Sequence, residues 1–88
     1  MEKKIELVKG TFSVPQAREV LLRLIEYKIN FHERENFSSE IKKGSRDATS
    51  VLRINELSAS RKELLEYLAA QPAEKLLKLK AEIEIDNV

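Results

Sequence analysis

The stretch LKLKAEIEID, residues 77–86, decides the fold, because apolar and charged residues alternate along it without interruption. Successive side chains of a β-strand point to opposite faces, so a strand collects every apolar residue of this stretch on one face. A helix would scatter the same residues around its circumference. The pattern therefore predicts a strand over residues 76–86 with one apolar face. That face comprises Leu77, Leu79, Ala81, Ile83 and Ile85.

A shorter strand is predicted near the start of the chain. Ile5 and Leu7 alternate with charged residues before Gly10, which is the period of two expected of a half-buried strand. We therefore predict a strand over residues 4–9, with Ile5 and Leu7 on the same face.

Two helices are predicted between the strands. Ser13 is positioned as the N-cap of the first, with Pro15 in its first turn and Gln16 placed to complete a capping box. Apolar residues then recur at helical spacing, and they predict a helix over residues 14–36.

The segment 37–47 lacks a clear period and is rich in serine and charge, so it is predicted to be a connection that reverses the chain, either irregular or with a frayed helical turn. Ser45 or Asp47 is positioned to cap a second helix, whose apolar stripe ends before Pro72. That helix is predicted over residues 48–71.

The order of elements defines the fold class. Two long helices joined by a connection form an antiparallel hairpin, which returns the chain so that the last strand pairs antiparallel with the first. A length of 88 residues suits one compact domain. The sequence thus predicts an α+β protein of β-α-α-β order, a single domain over residues 1–88. In it a long helical hairpin packs on a small two-stranded antiparallel sheet.

Composition argues against several classes of function. Sixteen Lys and Arg against fifteen Asp and Glu leave a net charge of +1, which provides no overall attraction to nucleic acids or anionic membranes. No cysteine and one histidine argue against disulfides and against common zinc sites. The first residues run into a short apolar stretch, far short of the roughly 20 residues of a membrane span. We expect no cofactor, no metal, no membrane association and a cytoplasmic location.

The first helix is apolar over too wide an arc for one neighbour. At 100 degrees per residue its apolar side chains spread over roughly 220 degrees, about twice the stripe of an ordinary surface helix. The second helix and the small sheet cover part of this arc. Either Leu22 and Ile29, or Tyr27 and Phe31, are then left to contact something else. A second copy of the chain is the expected occupant, although the connection could instead fold back over this face.

Three polar residues line up inside the same arc. Lys28, His32 and Glu35 stand at i, i+4 and i+7, so a helix places them on one side. They form either a polar slot, in which His32 titrates or binds an anion or metal with Glu35, or a solvated end of the hairpin. The solvated end is the simpler interpretation, because a lone histidine has no second ligand of its kind.

A local basic cluster lies between Ile41 and Ile54. Its members are Lys42, Lys43, Arg46 and Arg53, against Asp47 alone. Together with backbone N–H groups at a helix start, they are candidate contacts for a phosphate or a nucleic acid. The spaced glycines of a nucleotide-binding loop are missing, and a solvated basic loop is the commoner outcome.

These observations favour a non-enzymatic module for protein–protein interaction or homo-oligomerisation, with no catalytic residues. Weak nucleic-acid or anion binding through Lys42–Arg53 is the alternative. The expected partner is a second copy of the chain, another protein remains possible, and nucleic acid is disfavoured by the balanced charge.

Overall fold

The computed structural model describes residues 2–88. Its elements are β1 (Lys3–Ser13), α1 (Val14–Lys43), α2 (Ala48–Ala69) and β2 (Leu76–Ile85). The strands form a two-stranded antiparallel sheet, α1 contacts both strands, and α2 packs against α1. The predicted fold class, a β-α-α-β helical hairpin on a small antiparallel sheet, is confirmed.

β1 is longer than predicted and contains a bulge. It spans Lys3–Ser13 rather than residues 4–9, and the register slips between Glu6 and Val8, so that Leu7 is an extra residue without a partner on β2. Residues directly opposite each other on paired strands share a face. Because Ile5 pairs with Ile83 and Val8 with Ala81, the bulge keeps Ile5 and Val8 on one face although they are three residues apart. The expectation that Ile5 and Leu7 alternate regularly on that face is therefore wrong.

The strand also continues through Gly10, where the sequence predicts its end. Gly10 pairs with Leu79 and has a φ of 154°, which glycine adopts without strain. A Cβ added at this position would lie 3.6 Å from the ring of Phe12. That distance is an ordinary van der Waals contact, so the positive φ rather than crowding favours glycine at this position.

α1 extends seven residues beyond its predicted end at residue 36 and stops at Lys43. The predicted capping box forms, since Ser13 Oγ accepts from the Gln16 N–H at 3.2 Å and Gln16 Oε1 accepts from the Ser13 N–H at 3.0 Å. Gly44 ends the helix in the left-handed conformation, with a φ of 73° and its N–H donated to Glu40 O. The connection therefore comprises residues 44–47 rather than 37–47, because residues 37–43 are the last two turns of α1.

The second half of the chain matches its prediction closely. α2 begins after Asp47, whose side chain accepts from the Ser50 N–H at 3.1 Å, so Asp47 rather than Ser45 is the N-cap. The helix ends at Ala69 instead of residue 71, and β2 spans Leu76–Ile85 instead of residues 76–86. Differences of one or two residues are normal where helix and strand ends fray.

The molecule is thin and extended for its size. Its principal extents are 50 × 35 × 14 Å and its radius of gyration is 16.1 Å, against about 12 Å for a compact domain of this length. Among residues 2–88, the buried apolar side chains are Ala17 and Leu68, which lie on the two helices. The fold is therefore thin and has little core of its own.

Candidate functional site

The sheet has one apolar and one charged face. The register places on the apolar face Ile5, Val8, Gly10 and Phe12 from β1, with Leu77, Leu79, Ala81, Ile83 and Ile85 from β2. Val8, Phe12, Leu77, Leu79 and Ala81 are half-buried. The residues farther from α1 are more open, since Ile5 is 43%, Ile83 40% and Ile85 51% exposed. This apolar sheet face is therefore least covered at the end distant from the helices.

The charged face carries two unfavourable cross-strand pairs. Glu6 lies opposite Glu82, and Lys9 lies opposite Lys80. Like charges directly opposite each other on neighbouring strands destabilise a sheet. Ion pairs of 3.6 Å run along each strand instead, from Lys9 Nζ to Glu6 Oε2 and from Lys80 Nζ to Glu82 Oε2. Such exposed pairs are worth at most about 1 kcal/mol, so Lys80 and Glu82 are poorly matched within the chain, whereas Glu84 lies opposite Lys4.

α1 carries a second open apolar surface. Leu24, Tyr27 and Phe31 follow one another at i, i+3 and i+7, which places them on one side of the helix. Tyr27 is 68% exposed and Phe31 38%. The other two residues of the predicted oligomer face, Leu22 and Ile29, are half-buried. The structure thus exposes the Tyr27 and Phe31 side of the arc rather than the Leu22 and Ile29 side.

The three residues of the predicted polar slot have different neighbours. Lys28 Nζ lies 4.4 Å from the centre of the Phe31 ring, in a cation–π contact. His32 is half-buried, and its Nδ1 lies 3.1 Å from Ser50 Oγ on α2. Glu35 is exposed and borders an open depression of about 260 Å³ with Ser38, Ser39, Lys42, Lys43 and Asp47. Each residue therefore has its own surroundings, and residues 2–88 contain no group of three or more metal-ligating side chains.

His32 belongs to a buried polar cluster that sequence reasoning missed. Asn36 is 2% exposed, and its Oδ1 accepts from the Asp47 N–H at 3.1 Å. Ser50, which contacts His32, is 3% exposed and donates its N–H to Asp47 Oδ2. His32 Nε2 and Asn36 Nδ2 are buried without a hydrogen-bond partner. The cluster fixes the start of α2 against α1, and the signal for it was the i, i+4 spacing of His32 and Asn36 on the arc that faces α2.

The arginines of the basic cluster are paired with acidic residues. Arg46 lies 3.8 Å from Glu33 and 3.5 Å from Glu40, both on α1. Arg53 lies 3.8 Å from Glu56, three residues further along α2. Lys42 and Lys43 border the open depression together with two carboxylates, Glu35 and Asp47. The local positive charge is therefore largely balanced by nearby carboxylates.

Comparison with known protein families, with curated proteins and with solved structures finds no match to this chain. None of the helices in residues 2–88 is long and apolar enough to cross a membrane. The case for a function therefore rests on the surfaces of the chain itself.

Proposed function

We propose that this chain is a non-enzymatic interaction module whose first partner is a second copy of itself. The observation that carries the proposal is its accessible surface of 6960 Å². A compact monomer of 10.2 kDa exposes about 5,300 Å² by the usual scaling with mass. The excess is on the order of 1,600 Å², about twice what one partner contributes to an interface of standard size.

The composition of the exposed surface supports the same proposal. Large apolar side chains are open both on the apolar sheet face and on the Tyr27 and Phe31 side of α1. Monomeric proteins rarely leave extended apolar patches in water, and such patches usually mark interfaces. Burying a large side chain contributes about 1.5–3 kcal/mol, which is substantial beside a total stability of roughly 5–15 kcal/mol.

Light scattering coupled to size exclusion tests self-association directly. We expect a mass near twice the chain mass of 10.2 kDa at micromolar concentration, with dissociation on dilution. A mass that stays at that of one chain up to about 100 micromolar protein would contradict the proposal, because any dissociation constant would then be weaker than that of ordinary specific association.

The alternative, nucleic-acid or anion binding through Lys42–Arg53, has weaker support because Arg46 and Arg53 already have carboxylate partners. A gel mobility-shift assay at low salt, where phosphate contacts are strongest, tests the alternative. We expect the mobility of mixed RNA and DNA to be the same in the presence of the wild type and of a Lys42→Glu, Lys43→Glu double variant. Retardation by the wild type alone would favour the alternative.

A further inference from the structure

We propose that β2 pairs antiparallel with β2 of a second copy, about a two-fold axis at Ala81, to form a four-stranded sheet. The inference rests on the proposed self-association and names the surface that carries it. Both strands of the sheet have only one neighbour in residues 2–88, so each has an outer edge of unpaired backbone groups. Such edges are templates for pairing with another strand.

The two edges are not equivalent. β1 contains the bulge at Leu7, and bulges interrupt regular pairing and bend a strand away from new neighbours. β2 is regular over its ten residues, with no bulge assigned to it and no proline or glycine. β2 is therefore the edge on which a second strand can form an uninterrupted ladder.

The charges of β2 are complementary to themselves when the strand is reversed. Along the charged face the order is Lys78, Lys80, Glu82, Glu84, two positive residues followed by two negative ones. A two-fold axis at Ala81 places Lys78 opposite Glu84 of the second copy and Lys80 opposite Glu82 of the second copy. All four charged residues of each strand then face an opposite charge, which stabilises a sheet.

Other registers lack this match. Axes at Lys80 or Glu82 place that residue opposite its own copy, so that a like-charge pair forms at the centre. Axes at Leu79 or Ile83 oppose Lys78 to Lys80, or Glu82 to Glu84, and parallel in-register pairing sets every charge beside its like. Among these, the axis at Ala81 alone leaves no like-charge pair, and it aligns residues 77–85, nearly the whole strand.

The proposed register also compensates for two unfavourable features of the single chain, its like-charge pairs and its exposed apolar residues. Within the chain Lys80 lies opposite Lys9 and Glu82 lies opposite Glu6, whereas the second copy supplies an opposite charge on the other side of each residue. On the apolar face, Ile83 and Ile85 come beside Leu79 and Leu77 of the second copy. The most exposed part of one sheet thus adjoins the part of the other that lies nearest α1.

Charge reversal on β2 tests whether the β2 strands of two copies lie side by side. An all-acidic strand results from Lys78→Glu with Lys80→Glu, and an all-basic strand results from Glu82→Lys with Glu84→Lys. Neither change removes an apolar side chain. Within the chain, Lys80→Glu and Glu82→Lys each turn a like-charge pair into an attractive one, whereas Glu84→Lys places a lysine opposite Lys4. Each variant alone is expected to show at least a tenfold weaker dimer at low salt, because four attractive pairs become repulsive. An equimolar mixture is expected to restore a mass near 20 kDa, twice the chain mass.

The outcomes separate this inference from the proposed function. A wild type that is monomeric overturns both. If the wild type is dimeric and both variants dimerise as tightly as the wild type, the strand pairing is overturned but the proposed self-association is not. Variants that are monomeric alone and remain monomeric when mixed overturn the charge complementarity between the β2 strands of the two copies.

A cysteine at the axis provides a second measurement. The chain has no native cysteine, and residues opposite each other across antiparallel strands have Cα atoms about 4.5–5.5 Å apart, within the range of a disulfide. Ala81→Cys is expected to form a covalent dimer under mild oxidation, whereas Thr11→Cys on β1 is expected to stay monomeric on a non-reducing gel. Equal cross-linking of the two variants would overturn the axis at Ala81.

Discussion

At the scale of single residues, the turn between the helices depends on Asp47. Its carboxylate accepts from the Ser50 N–H and its carbonyl accepts from the Val51 N–H. Asp47→Ala is expected to lower the free energy of unfolding by about 1 kcal/mol, the usual cost of losing an N-cap. Asp47→Asn keeps the cap and serves as the control, and Ser45→Ala is expected to change stability by less than about 0.5 kcal/mol. Urea unfolding of the three variants measures the differences, and equal loss from Ser45→Ala and Asp47→Ala would contradict this assignment.

Asn36 is the second residue on which the turn depends. Because its Oδ1 accepts from the Asp47 N–H in a buried site, Asn36→Ala leaves that donor without a partner. The expected loss is about 1–3 kcal/mol of unfolding free energy, partly offset because the unpartnered Nδ2 also disappears. Asn30→Ala, on the exposed side of the same helix, is the matched control and is expected to be nearly neutral. Equal stability of the two variants by thermal unfolding would contradict a structural role for the cluster.

At the scale of elements, the bulge in β1 makes Leu7 dispensable. Removing one residue from a strand normally moves every residue beyond it to the other face. Deletion of Leu7 instead removes the extra residue and leaves Ile5 and Val8 two positions apart, on the same face. We expect this variant to keep a melting temperature within about 5 °C of the wild type, a change of roughly 1 kcal/mol or less.

Deletion of Glu82 from the regular strand β2 is the control for that prediction. It moves Ile83 and Ile85 to the charged face, so we expect a larger fall in melting temperature and loss of the dimer. Circular dichroism melts of the two deletions measure the contrast. If the Leu7 deletion is as damaging as the Glu82 deletion, the bulge is not the site where the register slips.

Local signals explain which elements were predictable. The strict alternation of residues 77–86 and the capping box of Ser13 and Gln16 depend on neighbours in sequence, and both predictions hold in the structure. The last turns of α1 were missed because Ser38 and Ser39 suggest a loop. In the structure the Ser39 hydroxyl donates to Ser45 O at 2.8 Å. This acceptor lies beyond the end of α1 and comes within reach of Ser39 only in the folded chain. The bulge at Leu7 was missed because it is defined by the pairing with β2.

The candidate site was less predictable than the fold for the same reason. Sequence reasoning grouped Lys28, His32 and Glu35 by their spacing on one helix, but their neighbours come from different places. Ser50 on α2, 18 residues away in sequence, contacts His32, whereas Phe31, which contacts Lys28, lies only three residues further along α1. Similarly, the charge of Arg46 is balanced by Glu33 and Glu40, which are six or more residues away in sequence. Contacts of this kind depend on tertiary packing that no periodicity contains.

At the scale of the whole molecule, the chain has little core of its own. Ala17 and Leu68 are the buried apolar residues of the described chain, and a two-stranded sheet is marginal in water without further packing. Folding that depends on association makes the melting temperature rise with concentration. We expect the melting temperature to rise by about 3–6 °C for each tenfold increase in protein concentration. A tenfold increase adds about 1.4 kcal/mol to the free energy of unfolding of the dimer, which corresponds to that rise for a dimer of this size.

Calorimetry or circular dichroism between about 2 and 200 micromolar, a range that brackets ordinary specific association, measures this dependence. The all-acidic β2 variant, Lys78→Glu with Lys80→Glu, is the matched control, because it retains every apolar side chain. It is expected to melt at a lower temperature than the wild type and to show little dependence on concentration. Mixing it with the all-basic variant is expected to restore both the melting temperature and its dependence on concentration. A wild type whose melting temperature is constant over the whole range would show that the thin β-α-α-β fold is stable as a monomer.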